Sequence, residues 1–151
     1  MDYDILLAEA DKDNLITKEK PLKAYDGRIK GKRILIRKDM KTTQKSCVLA
    51  EELGHYHTTV GNILDQSKAE NRKQEQRARA WAYNKMIGLT GIIRAYENGC
   101  CSSYEMADFL DVTEVFLLEA IECYKTKYGP CVQIDNYAIY FEPLGVLRIN
   151  L

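Results

Sequence analysis

Long apolar runs are missing from this 151-residue chain, and none approaches the ~20 residues needed to cross a bilayer, which excludes a spanning helix. The start, Met1-Asp-Tyr-Asp, has no basic segment of the kind that opens a secretory signal, so a cytosolic protein is expected. Cysteine is sparse and odd in number: Cys47, Cys100, Cys101, Cys123 and Cys131 include one vicinal pair but no C-x-x-C. That pattern argues against both a disulfide framework and a thiolate zinc cage, and leaves reduced, mostly buried thiols. There are only three prolines and no Pro/Gly/Ser-rich linker, so one domain over residues 1–151 is expected. No Gly-rich phosphate loop, internal repeat, or Ser or Cys nucleophile paired with a distant histidine can be found. The formal net charge is zero.

That zero hides an uneven distribution. Residues 18–45 hold eleven Lys/Arg against Glu19, Asp26 and Asp39, an excess of eight positive charges. Residues 103–124 hold six carboxylates and no Lys or Arg. A basic run is first a solvated face and second a surface for an acidic partner or nucleic acid. Aromatic interleaving beyond Tyr25 is lacking, which makes a nucleic-acid-binding module the weakest of the function classes considered.

Both histidines, His55 and His57, fall in Ser46–Gly61. The spacing of Val48, Leu49 and Leu53 predicts a helix, capped by Thr42 or Thr43 and ending by Thr58-Thr59 or Gly61. It puts Glu51 and His55 one turn apart on one face, with Glu52 three residues before His55. His57 points roughly 160° away from His55 at 100° per residue, so a buried or supporting role is expected for it.

Elsewhere the pattern gives a first helix capped by Asp2 or Asp4, with Ile5, Leu6 and Ala10 on one side. Two or three strands are expected between Lys23 and Lys38, with Tyr25-Asp26-Gly27 as a hairpin turn and Gly31-Lys32 as another. Arg33–Arg37 reads as an edge strand able to accept an extended peptide. A helix over 68–94 carries a stripe of Ala69, Arg72, Glu75, Ala78, Ala82 and Met86. Ser102-Ser-Tyr-Glu105 is a capping box opening a helix to Leu110, and Asp111-Val-Thr113 turns into a second helix to about Tyr128. This pair has a helix-turn-helix outline, packed through Met106, Phe109, Leu110, Val115, Leu118 and Ile121, but its acidity argues against direct DNA binding. Strands over 131–134, 137–142 and 146–149 then form a C-terminal meander.

Glu51 and His55 on one helix and Glu75 on the next could meet at one cation, leaving Glu52 as the base that takes a proton from water. This is the layout of H-E-x-x-H zinc peptidases, with Glu51 where the first histidine stands. Leu49-Ala-Glu-Glu-Leu-Gly-His-Tyr56 and Glu75-x-x-Ala78-x-x-Trp81-Ala82 resemble the ImmA/IrrE family of metallopeptidases. The resemblance implies an α+β, zincin-like fold and a metal-dependent endopeptidase acting on a protein substrate, a helix-turn-helix repressor of a phage or mobile element. It further implies zinc as cofactor, with manganese or iron(II) tolerated by a set of one His and two carboxylates. The alternative is a degenerate zincin-fold protein that sequesters the repressor. Tyr56, Tyr83 and His57 are candidates for supporting roles or an alternative ligand.

Overall fold

The computed structural model describes residues 1–59 and 68–150, with backbone alone over 68–70. The possible helix stop at Gly61 and the side chain of Ala69 lie outside the described residues. Two compact units are present, Met1–Lys85 and Met86–Leu151.

In the first unit α1 (Tyr3–Lys12) is capped by Asp2, whose carboxylate accepts from the Asp4 backbone N–H at 3.1 Å. Its buried side is Tyr3, Leu6 and Ala10; Ile5, expected there, is exposed. The chain then forms β1 (Ile16–Lys20), β2 (Gly27–Lys30) and β3 (Arg33–Arg37), in the sheet order β1-β3-β2. β1 runs parallel to β3, and β2 is antiparallel to it across the two-residue turn Gly31-Lys32, where Gly31 has φ of +62°. Two expectations are corrected. Tyr25-Asp26-Gly27 does not close a hairpin, because β1 and β2 are not neighbours; it leads into β2, with Asp26 paired to Arg37 at 3.0 Å. Arg33–Arg37 is the central strand, because Ile34 and Ile36 are fully buried and the centre of the sheet covers them best. The two edges of the sheet belong to β1 and β2.

The helix α2 (Thr42–Thr58) packs on α1, β2 and β3 through Cys47, Leu49, Ala50, Leu53 and Gly54. Lys41 rather than a threonine is its N-cap, and the Gln44 side chain accepts from the Lys41 N–H at 3.1 Å. The following helix is shorter than expected: α3 covers Lys68–Met86 and α4 covers Gly88–Glu97. Between them Ile87 takes φ −123° and ψ −75°, and Gly88 takes φ +65°, a conformation that glycine alone adopts cheaply.

In the second unit α5 (Ser103–Leu110) and α6 (Glu114–Tyr128) start on the caps read from the sequence, Ser102 and Thr113. Asp111 makes the turn at φ +55°. The face they bury differs from the expected one. Met106, Leu110 and Ile121 are buried, but their companions are Ala107, Val112, Phe116, Leu117, Ala120 and Tyr124. Phe109, Val115 and Leu118 are 43%, 67% and 48% exposed. The small Ala107 and Ala120 are part of this buried stripe. The sheet β4 (Cys131–Ile134), β5 (Tyr137–Phe141), β6 (Leu144–Arg148) is the expected meander, with β6 starting at Leu144. It packs on α4 and α6.

Candidate active site

An open cleft of about 600 Å³ lies between the edge of β2 and the solvent-facing side of α2. Its strand wall is Gly27, Arg28, Ile29 and Gly31; its helix wall is Glu52, His55 and Tyr56, with Thr59 and Glu75 completing it. α2 turns these polar residues outward because Leu49, Ala50, Leu53 and Gly54 claim the opposite side for the core.

Glycines set both approaches. A Cβ on Gly27 would overlap Val48 and stand 3.4 Å from Glu52 Cγ and Oε1, so β2 lies directly against α2 at the level of Glu52. A Cβ on Gly54 would overlap the Ala78 carbonyl oxygen and stand 2.9 Å from its carbon, so α2 and α3 cross at backbone contact distance. That crossing brings His55 to Glu75: Nε2 lies 3.0 Å from Oε2. The other Glu75 oxygen is 3.3 Å from Arg79 Nε, one turn along α3.

Glu52 is the strongly perturbed acid of the cleft. Burial, and then the charges of Glu51 and Glu75, push its carboxyl up from an ordinary 4.5 to about 7, against the pull of a hydrogen bond from the Ile29 backbone. Such a group exchanges a proton near neutrality. Tyr56 turns its hydroxyl to Lys32, which donates to it at 2.9 Å from the β2–β3 turn. His57, off the cleft as the helical angle predicts, is exposed rather than buried: it lies 3.4 Å from Asp13 Oδ2 and stacks on Trp81 at 4.8 Å. Tyr83 is buried in α3 and does not line the cleft.

Glu51, one turn before His55, is half-buried and does not line the cleft. Its charge nevertheless reaches Glu52. Two ligands of one tetrahedral zinc at ~2.0–2.1 Å stand about 3.3 Å from each other, so His55 and Glu75 fit a shared cation with a slight opening of their contact. Among the described residues no group of three His, Cys, Asp or Glu is gathered closely enough to enclose an ion. Glu51, the third ligand expected from the sequence, does not join His55 and Glu75 in such a group. The residues that sequence reasoning missed are the strand wall and the two glycines. A helical glycine costs about 1 kcal/mol against alanine, so Gly54 within E-E-L-G-H was a readable sign of close approach.

A family model, Peptidase_M78, described as the IrrE N-terminal-like domain, matches residues 3–122. No curated protein and no solved structure matches the chain significantly.

Proposed function

Because this chain belongs to Peptidase_M78, the IrrE N-terminal-like family of metal-dependent peptidases, we propose that it is an endopeptidase that cuts an extended segment of a protein substrate held along β2. The observation that carries this reading is Glu52, its carboxyl pushed up to about 7, in the helix wall of a cleft whose other wall is the edge of β2.

The strand edge supplies the substrate's backbone partners. Asp26 O accepts from Arg37 N–H, so the even-numbered residues of β2 turn their backbone groups to β3 and the odd ones, Gly27 and Ile29, turn theirs outward; the Ile29 N–H donates there to the Glu52 carboxylate, a bond that a peptide pairing at Ile29 has to displace. A peptide added there lies antiparallel or parallel to β2 with its scissile carbonyl over Glu52. Glu52 takes a proton from the attacking water and later gives it to the leaving amide nitrogen, one carboxyl serving as base and then acid because its pKa lies near the working pH. His55 and Glu75, with Glu51 turned in, would hold a divalent cation, zinc before manganese or iron(II). Bound there, it supplies Lewis-acid polarisation of the carbonyl. Tyr56, tied to Lys32, stands on the same wall as a donor for the oxyanion. By family likeness the substrate is a helix-turn-helix repressor of a phage or mobile element, in the cytoplasm.

Glu52→Gln tests this reading. It keeps size and helix propensity, so cleavage of the repressor should fall by about 10²–10⁴ while metal content and melting temperature hold. One observation favours a second reading: a carboxylate, Glu51, replaces the first motif histidine and lies outside the cleft lining. On that reading the chain binds the repressor without cutting it, and Glu52→Gln would silence the repressor as well as the parent does.

A further inference from the structure

The register of the first sheet sorts its charges by face. Opposite one another across β1, β3 and β2 stand Lys18, Leu35 and Arg28; in the next row stand Ile16, Arg33 and Lys30. These rows share one face, because Ile34 and Ile36, the alternate residues of β3, are buried on the other. Lys18, Arg28, Lys30 and Arg33 are all exposed. Among the described residues no carboxylate pairs with any of them. Arg28 is held up on this face by Tyr25, its guanidinium 5.8 Å from the ring centroid.

Arg28 and Lys30 alternate with the edge-facing backbone groups of Gly27 and Ile29 on one strand. A peptide strand paired to that edge places every second side chain beside Arg28 and Lys30, and the remaining ones on the cleft side with Glu52. We propose that Arg28 and Lys30 select substrates: the segment bound along β2 carries acidic side chains at two alternate positions, i and i+2, on the face turned away from Glu52. This rests on the peptide-binding reading above and adds the substrate's charge pattern to it. Glu52 and Glu75 on the cleft side repel acids there, so the same strand is read in opposite senses on its two faces. A peptide fits this surface better than nucleic acid. The cations flank an open backbone edge, and of the aromatic residues near them Tyr25 is engaged by Arg28.

The test uses the full chain and dye-labelled ten-residue Val/Thr peptides with two glutamates at i and i+2, two at i and i+1, or two lysines at i and i+2. Fluorescence polarisation in low salt reads their binding. The i, i+1 isomer has the same charge, but whatever its register only one acid can face outward. Making one cross-strand charge pair more than its isomer, the alternate-acid peptide should bind up to about fivefold tighter than that isomer and tighter still than the lysine peptide. R28E/K30E, which changes two exposed side chains, should invert the order in favour of lysine. Equal binding of the two glutamate isomers, or an unchanged order in the variant, overturns the proposal. So does a duplex or single-stranded oligonucleotide that displaces the alternate-acid peptide at lower concentration and is lost on R28E/K30E, which would give the face to nucleic acid. Mass spectrometry of the same peptides with added zinc separates the two readings. Cutting without acidic preference ends this proposal and leaves the hydrolase, whereas alternate-acid preference without cutting keeps this proposal and ends the hydrolase.

Discussion

Gly54 and Ala78 touch backbone to backbone: any side chain on Gly54 would run into the Ala78 carbonyl, whose carbon would lie 2.9 Å from the new Cβ. His55 and Glu75, 3.0 Å apart, are each a single step or turn from that crossing. Gly54→Ala should therefore separate α2 from α3. Overpacking of this kind costs about 1–3 kcal/mol, more than the helix gains from alanine. Denaturant unfolding should give a lower midpoint, and cation affinity should fall although no donor has been removed. An unchanged midpoint would mean that the two helices are not held at this distance.

Glu51 can be judged by changing it in both directions. As a ligand it gives up a charged oxygen in Glu51→Gln, whereas Glu51→His restores the imidazole of the H-E-x-x-H pattern. Supporting residues around bound metals are worth about 10–100-fold in affinity, so loss of a direct ligand should cost roughly tenfold or more, and the histidine variant should bind zinc tighter than the parent. Competition with a chromophoric chelator measures both. If neither substitution moves the affinity, Glu51 does not hold the ion.

The raised pKa of Glu52 sets a pH dependence of stability. Between its ordinary value of 4.5 and about 7, the folded chain keeps a proton on Glu52 that the unfolded chain releases. Stability from this group is complete below the lower value and is lost as pH rises through the window, by about 3 kcal/mol across it. Glu52→Gln cannot ionise. In chelator-treated protein its melting temperature relative to the parent should climb from pH 4.5 to 7 and level off above; a constant difference would show that Glu52 titrates normally.

Three helix caps and one turn were legible because each depends on a few adjacent residues: Asp2, Ser102 and Thr113 cap as read and Gly31-Lys32 turns as read, whereas Lys41 caps α2 in place of a threonine and Tyr25-Asp26-Gly27 closes no hairpin. Helical spacing alone carries Glu52 and His55 to one side of α2, whereas the approach of His55 to Glu75 depends on the Gly54–Ala78 crossing, which spacing does not show. The position of β3 was not legible either. Whether R-I-L-I-R is an edge or a centre depends on which strands flank it, and β1 comes from a segment, Ile16–Lys20, whose mostly polar sequence gives little strand signal. The break at Gly88 was overlooked because the apolar pattern of α3 and α4 continues across it.

The inward face of α6 gives the remaining contrast. Leu117 is fully buried and its neighbour Leu118 is 48% exposed, the reverse of what apolar spacing alone suggested. Leu117→Ala should cost about 2–5 kcal/mol through lost burial and the cavity left behind, whereas Leu118→Ala should stay within roughly 0.5 kcal/mol, as surface changes do. Urea unfolding of the two variants measures the difference, and equal losses would mean that the helix is rotated from the orientation described. Leu118 also lies on the side that carries Glu119 and Glu122, both exposed. Phosphate would meet carboxylates there, so Leu118→Lys, which adds a cation to that side, should still give no salt-dependent duplex binding in a polarisation titration. Duplex affinity in the parent chain that is lost on changing exposed residues of 111–122 would instead assign this helical pair to DNA.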